Sequence, residues 1–366
     1  MIIEMHSIQN IAPSNLNRDD TGSPKDCTFG GVRRGRISSQ ALKRAARRAF
    51  LSYGLTPEEV GVRTRRVVEA VVDRLALVHG RDREAATKVA ANALANFGLT
   101  GGEYLLFVSR QGIEALADRC NDLFDELSKG KPTKGAIKEL SADILLDASG
   151  QVDVALFGRM VADLPNANVD AASQVAHAIS THEVRPEFDY FTAVDDLQEE
   201  SPERETGAGH IDTLEFNSAC YYRYAAVDSD QLLENLNGDE ELSRRGLTAF
   251  LMAMVHELPR GKQNSMAAHN PPSLVMTTVR PRGQWNLANA FEEPVRRRNG
   301  GLVQESSRRL LEYYRWLSEV YDSNRPTQAH LVAVDPDITV PAGVVRHGNV
   351  SQLVSATVDA ALGTLT

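Results

Sequence analysis

No stretch of the chain approaches the roughly 18 consecutive apolar residues of a membrane helix. The start MIIEMHSIQN has neither a basic leader nor a long apolar core. These absences argue against a secreted or membrane-embedded protein. Cysteine is scarce: Cys27, Cys120 and Cys220 stand far apart with no C-x-x-C, which speaks against a zinc site or disulfide framework and fits a reducing cytoplasm. There is no phosphate-binding glycine loop, no G-x-S-x-G, no dinucleotide fingerprint, no cysteine–histidine signature, no internal repeat and no low-complexity tract. Acids are missing in one place above all, between Arg33 and Arg48.

What is present is an ordinary globular composition, 42% hydrophobic and 24% charged. The 366 residues exceed the ~250–300 at which one core stops growing, so two or three packing units are expected. The net charge of −9 hides an asymmetry. Residues 1–50 carry nine Lys/Arg against four acids, a net of +5, while the remainder carries −14. Seven of those cations fall between Arg33 and Arg48. A basic cluster on an acidic body suits a localised polyanion site.

Ile2–Ile8 reads as a strand, followed by a turn-rich loop with Pro13, Asn15, Asn17, Gly22 and Pro24. After Phe29–Val32 a helix is expected from Ser38 or Ser39, with Leu42, Ala45, Ala46, Ala49, Phe50 and Tyr53 at helical spacing and Gly54 as the stop. Residues 57–79, 81–97 and 112–127 read as helices, Glu103–Ser109 as a brief strand, 129–150 as a surface loop and Val152–Phe157 as a strand. Between Glu183 and Tyr224 two period-two runs suggest a long hairpin. Its apolar edges would be Val184, Phe188, Tyr190, Thr192 and Val194 on one arm and Leu214, Phe216, Cys220, Tyr222 and Tyr224 on the other, with a polar tip over Glu199–Gly209. Each arm could reach roughly 40 Å and project. Helices over Ser243–Leu258 and about Val303–Tyr321 flank a strand at Leu274–Val279.

The helix after Ser39 is the most informative element. Lys43 and Arg47 are spaced i,i+4, as are Arg44 and Arg48, so four cations would form a stripe opposite the apolar face. The helix start adds free backbone N–H groups. A solvated helix face usually mixes signs, and this one has no acid. Phe191 stands among the polar odd positions Arg185, Glu187, Asp189, Ala193 and Asp195, where an exposed ring could stack on a base or be covered by a neighbouring subunit. Met160, beside Gly158 and Arg159, is most simply core filler. His177 and His182 have no metal-ligand spacing and read as structural histidines. Asp19–Asp20 and Asp195–Asp196 could hold a divalent cation, though such pairs more often sit in turns.

The runs S-N-L-N-R-D-D-T-G-S-P-K (Ser14–Lys25) and F-G-G-V-R-R-G-R-I-S-S-Q-A-L-K-R-A-A-R (Phe29–Arg47) resemble the CasC family, the backbone subunit of the type I-E CRISPR surveillance complex Cascade. The resemblance continues through V-D-V-A-L-F-G-R-M (Val152–Met160), H-A-I-S-T-H (His177–His182), F-T-A-V-D-D-L-Q (Phe191–Gln198) and G-K-Q (Gly261–Gln263). It is weakest over 56–150 and after 295.

The resemblance implies an α+β fold: a modified RRM-like (ferredoxin-like) palm over 1–55 and 215–366, a helical fingers insertion over 56–181 and a β-hairpin thumb over 182–214. It implies a non-catalytic protein, without cofactor or metal, whose copies stack along a CRISPR RNA and present it for pairing with a target DNA strand. Other Cascade subunits would be partners. Arg18, Lys25, Ser38, Gln40, Lys43, Arg44, Arg47 and Lys262 would contact the RNA backbone, and Met160 and Phe191 would flank kinks where one base is flipped aside. No RNP1-type aromatic motif is visible, so the usual sheet-stacking mode does not carry over. Residues 182–214 hold ten acids against two arginines, so the hairpin must act by shape and apolar contact. The competing reading is a metal-dependent ribonuclease using Asp19 or Asp20, which the flanking Arg18 and Lys25 disfavour.

Overall fold

The computed structural model describes residues 1–96, 105–130, 142–161, 164–192, 211–297, 301–321 and 327–363, with backbone alone at 142–143, 191–192 and 211–212. Among them the strands are β1 (Ile2–Ser14), β2 (Asp26–Phe29), β3 (Val32–Ile37), β4 (Val62–Thr64), β5 (Leu106–Val108), β6 (Ser173–Val175), β7 (Ala178–Ser180), β8 (Glu187–Thr192), β9 (Ile211–Asp228), β10 (Leu274–Arg280), β11 (Gln328–Ala333) and β12 (Val344–Arg346). The chain divides into two units. One comprises 1–49, 175–226 and 250–366; the other comprises 50–174 and 227–249.

The first unit is built on a mostly antiparallel sheet ordered β12-β11-β10-β1-β9-β7-β3-β2, with β8 pairing to β9 off this path. β1 lies between β10 and β9, which explains why every residue from Ile3 to Ile8 is buried. Its apolar Ile3, Met5, Ile8 and Ile11 fill the core. Its buried polar residues need partners. Glu4 accepts from Tyr224 Oη at 2.9 Å and Thr278 Oγ1 at 3.0 Å, and pairs with Arg280 Nε at 3.1 Å. The period-two pattern of β9 is resolved into two cores. Cys220, Tyr222 and Tyr224 pack with Leu310, Leu311 and Tyr314 of the helix Gly301–Tyr321. Ala219 and Tyr221 pack with Ile37 and with Leu42 of α1 (Ser39–Ala49).

The second unit is mainly helical. Val71, Val72 and Leu75, Val89, Ala90 and Ala93, and Leu116, Ala117 and Cys120 come from the helices Val67–His79, Arg83–Asn96 and Arg110–Asp122 and share one core. Its alanines let the helices approach closely. The expected helix over 57–79 begins only at Val67. Thr56 and Glu59 close a capping box around the short turn Pro57–Glu59, and the chain then runs extended into β4, which pairs with β5.

Val152–Phe157, expected as a strand, is a short helix. Val152 to Leu156 are all buried, and a short run buried on every side carries no period that separates strand from helix. Asp153 Oδ1 accepts from Gly61 N at 2.7 Å and Val154 N at 3.0 Å. The helix stops at Gly158, whose φ is +76°. Within the expected loop over 129–150 a helix spans Ala142–Leu146; residues 131–141 lie outside the described residues.

Among the described residues β8 pairs with β9 from Glu187↔Phe216 to Thr192↔Ile211, about 20 Å of ladder. The expected tip at Glu199–Gly209, with Val194, lies outside the described residues. Phe188 and Tyr190, expected on an apolar edge, are 57% and 71% exposed. Glu187 and Asp189, on the other face, are exposed too, so over 187–190 the alternation does not separate a buried face from an open one.

Candidate nucleic-acid interface

Three separate segments of the first unit meet around the start of α1. Asn15 is fully buried, and its Nδ2 donates to Gly22 O at 2.9 Å and Glu215 O at 2.8 Å, which folds the 15–25 loop back onto β9. Asn17 O accepts from Lys25 N at 2.9 Å, and Asn17 Oδ1 accepts from Ser38 N at 2.8 Å. The loop carrying exposed Arg18 and half-buried Lys25 is thereby fastened to the helix start. Ser38 is the N-cap: its Oγ accepts from Ala41 N at 3.3 Å, so the hydroxyl proton can still be donated. Gln40 is exposed in the first turn.

The third segment is the 260–262 loop. A β-carbon built on Gly261 would stand 2.4 Å from Leu16 O and 2.6 Å from Asn15 O. Only glycine permits that approach. The exposed Lys262, at φ +51°, is held directly beside the loop bearing Arg18. The loop bearing Arg18 and Lys25 is therefore tied both to the helix start bearing Ser38 and Gln40 and to the loop bearing Lys262, although Arg18 and Lys262 are separated by most of the chain.

The cations of α1 divide by exposure. Leu42, Ala46 and Ala49 are buried, Arg44 and Arg48 are exposed, and Lys43 and Arg47 are half-buried. The expected single stripe is thus two rows. At 100° per residue Lys43 lies closest to the buried face, Arg44 opposite it, and Arg47 and Arg48 about equally far round it on either side. Burial draws the Lys43 ammonium pKa down from its ordinary value.

The other cations of the acid-free stretch belong to the scaffold. Arg34 is fully buried and donates to Ser180 O at 3.0 Å, Phe291 O at 2.7 Å, Phe29 O at 3.1 Å and Glu292 O at 3.2 Å. Arg33 is ion-paired with Asp26, and Arg36 Nε donates to Asp26 O at 3.0 Å. A run of like charges does not reveal which members face solvent.

His177 was not foreseen as part of this site. Its Nδ1 accepts from Ser39 N at 2.8 Å, at the very start of α1. No local sequence signal marks it, since β7 brings it there from across the sheet. His182 is structural: Nδ1 bonds Glu183 O at 2.7 Å and Nε2 accepts from Cys220 N at 3.1 Å.

The remaining expected residues lie elsewhere. Met160 belongs to the second unit and is 86% exposed, so it is not core filler. Arg159 holds its loop by donating to Leu146 O at 2.6 Å and Ala167 O at 2.8 Å. Phe191 lies in β8 opposite Asp212; its side chain lies outside the described residues.

Asp19, the ribonuclease candidate, is engaged in its own turn. Oδ1 accepts from Thr21 Oγ1 at 2.7 Å, Thr21 N at 2.9 Å and Ser23 N at 3.0 Å. These bonds, the Thr21 hydroxyl foremost, lower its pKa. Among the described residues no group of three or more His, Cys, Asp or Glu could hold a metal ion, and no helix is long and apolar enough to cross a membrane. Asp195–Asp196 lie outside the described residues.

An α+β fold with a large, mostly antiparallel sheet and a cationic cluster assembled from three chain segments is thus defined. The chain belongs to the family described as CT1975-like protein, which it matches over residues 3–356. No curated protein matches it. Among solved structures it is similar to a chain of a "CRISPR RNA-guided surveillance complex, pre-nicking", at 32% identity and a TM-score of 0.88, covering 99% of this chain and 100% of that one. A chain of another CRISPR RNA-guided surveillance complex is 27% identical with a TM-score of 0.77, at the same coverage.

Proposed function

We propose that this protein is a crRNA-binding backbone subunit of a type I-E Cascade complex, working in the cytoplasm without catalysis of its own. Copies would line the guide RNA through the loop 15–25, the start and outer rows of α1 and Lys262, and present the guide to a target DNA strand. Met160 and the β8–β9 hairpin with Phe191 would hold the flanks of regularly spaced kinks. Neighbouring Cascade subunits would complete the assembly.

The observation that carries this reading is the joining of the 15–25 loop, which bears Arg18 and Lys25, to the α1 start with Ser38 and Gln40 and to the loop of Lys262, in a chain 99% of which matches a chain of an RNA-guided surveillance complex. The exposed Arg44 and Arg48 extend the cluster along the helix. Such a surface complements a sugar–phosphate strand by charge and donor geometry. The non-catalytic part draws support from Asp19, whose Oδ1 is already taken by three donors of its own loop. Co-purification is the test. The protein expressed with a CRISPR array should carry RNA of discrete length; recovery of the folded protein free of RNA would overturn the reading.

A further inference from the structure

We propose that His177 is a neutral hydrogen-bond donor to the sugar–phosphate backbone of the bound strand, a contact residue of the interface that supplies specificity without charge. The inference rests on the proposed RNA-binding function and adds to it.

His177 and Ser39 are 138 residues apart, yet His177 Nδ1 accepts the Ser39 N–H at 2.8 Å. An imidazole nitrogen that accepts from an amide cannot itself carry a proton, so in the neutral ring the proton sits on Nε2. The tautomer is therefore set by the backbone. Partial desolvation, with the Arg36 and Lys25 charges nearby, also draws the His177 pKa down from its ordinary value. The ring is exposed, and Nε2 has no partner among the described residues.

Its place is rigid. Ala176 N donates to Tyr224 O at 3.0 Å on one side, and Ile179 pairs with Tyr222 on the other. The result is a fixed N–H on the surface, next to Lys25 and Arg36 and at the first turn that bears Gln40. A donor among cations is complemented by an oxygen, either a phosphate oxygen or a ribose 2′-hydroxyl. Lysine and arginine contacts give affinity through released counterions, whereas a neutral donor releases none.

The test separates donor from scaffold. In His177→Asn, the amide oxygen replaces Nδ1 and can still accept from Ser39, but nothing replaces the Nε2 proton. Affinity for a single-stranded RNA should fall about five-fold, as for one lost hydrogen bond, by the same factor at every salt concentration. Lys43→Glu with Arg47→Glu should instead flatten the salt dependence. Wild-type affinity in His177→Asn would overturn the proposal. Loss in His177→Ala but not in His177→Asn would overturn it too, because only the Ser39 bond would then matter. A flattened salt slope in His177→Asn would show a charged contact and also overturn it. Repeating the pair on a DNA strand of the same sequence assigns the acceptor: a loss confined to RNA indicates the 2′-hydroxyl, and a loss on both a phosphate oxygen, each sustaining the donor role. If the wild-type protein binds no RNA, or binds it as well after Lys43→Glu and Arg47→Glu, the proposed function itself fails and takes this inference with it.

Discussion

Gly261 stands against the carbonyl oxygen of Leu16 so closely that a β-carbon would lie 2.4 Å from it. The obstacle is backbone on both sides, so neither segment can yield cheaply. Gly261→Ala should move Lys262 away from the Arg18 loop, lower stability by about 1–3 kcal/mol as other overpacked sites do, and weaken RNA binding. Thermal unfolding and a binding titration check both effects; unchanged values in both would remove Gly261 from the site's construction.

Arg34 offers the opposite expectation for a cation of the same stretch. It is buried and donates to four carbonyl oxygens. Arg34→Met should cost about 3 kcal/mol by leaving those oxygens without donors. Binding measured below the melting transition should keep the wild-type salt slope, since no phosphate contact is lost. A flattened slope would place Arg34 at the strand after all.

A pH effect follows from His6. Tyr222 Oη accepts from Leu287 N at 2.9 Å and donates to His6 Nδ1 at 2.9 Å. Burial, aided by Arg280, lowers the His6 pKa to about 3. Because the folded pKa lies below the unfolded one, the unfolded chain binds the extra proton between them. The stability this group provides is complete above pH ~6.5 and declines as pH falls toward about 3. Glu4 acts in the opposite sense, since burial raises its pKa, so the comparison must be with a variant. The melting temperature of His6→Gln should fall less steeply than wild type between pH 6.5 and 5; parallel curves would contradict the assignment.

Asp19→Ala should loosen the 19–23 turn, which its carboxylate holds with three bonds, and leave no nuclease activity to lose. Labelled guide or complementary RNA incubated with Mg²⁺ or Mn²⁺ provides the check. Cleavage by the wild type that disappears in Asp19→Ala or Asp20→Ala would establish the enzyme reading.

Phe191→Ala should leave the protomer folded and weaken cooperative assembly on long RNA, because each copy repeats the loss of roughly 1–3 kcal/mol of stacking per base. Deleting Glu199–Gly209 should affect assembly more than binding of a short oligonucleotide. Footprinting the assembled wild type with a base-reactive probe decides: uniform reactivity along the RNA would exclude a wedge at Phe191.

The sequence by itself determined the elements whose pattern is local. The helix from Ser39 and the helix Gly301–Tyr321 are legible because helical spacing of apolar residues needs no distant partner. The acid-free cationic stretch likewise pointed to a polyanion. Where local pattern and burial part company, only the tertiary structure decided. Val152–Leu156 are buried on every side, so their apolar run could not show that the segment is helical, and Phe188 and Tyr190 are exposed on β8 although their spacing reads as an apolar edge. Arg34 and Arg44 look alike in sequence, yet four carbonyls, three of them from two distant segments, hold one buried while the other faces solvent. His177 reached Ser39 only because β7 pairs with both β3 and β9. Strand pairing joins residues far apart in the chain, and no short-range spacing carries that information.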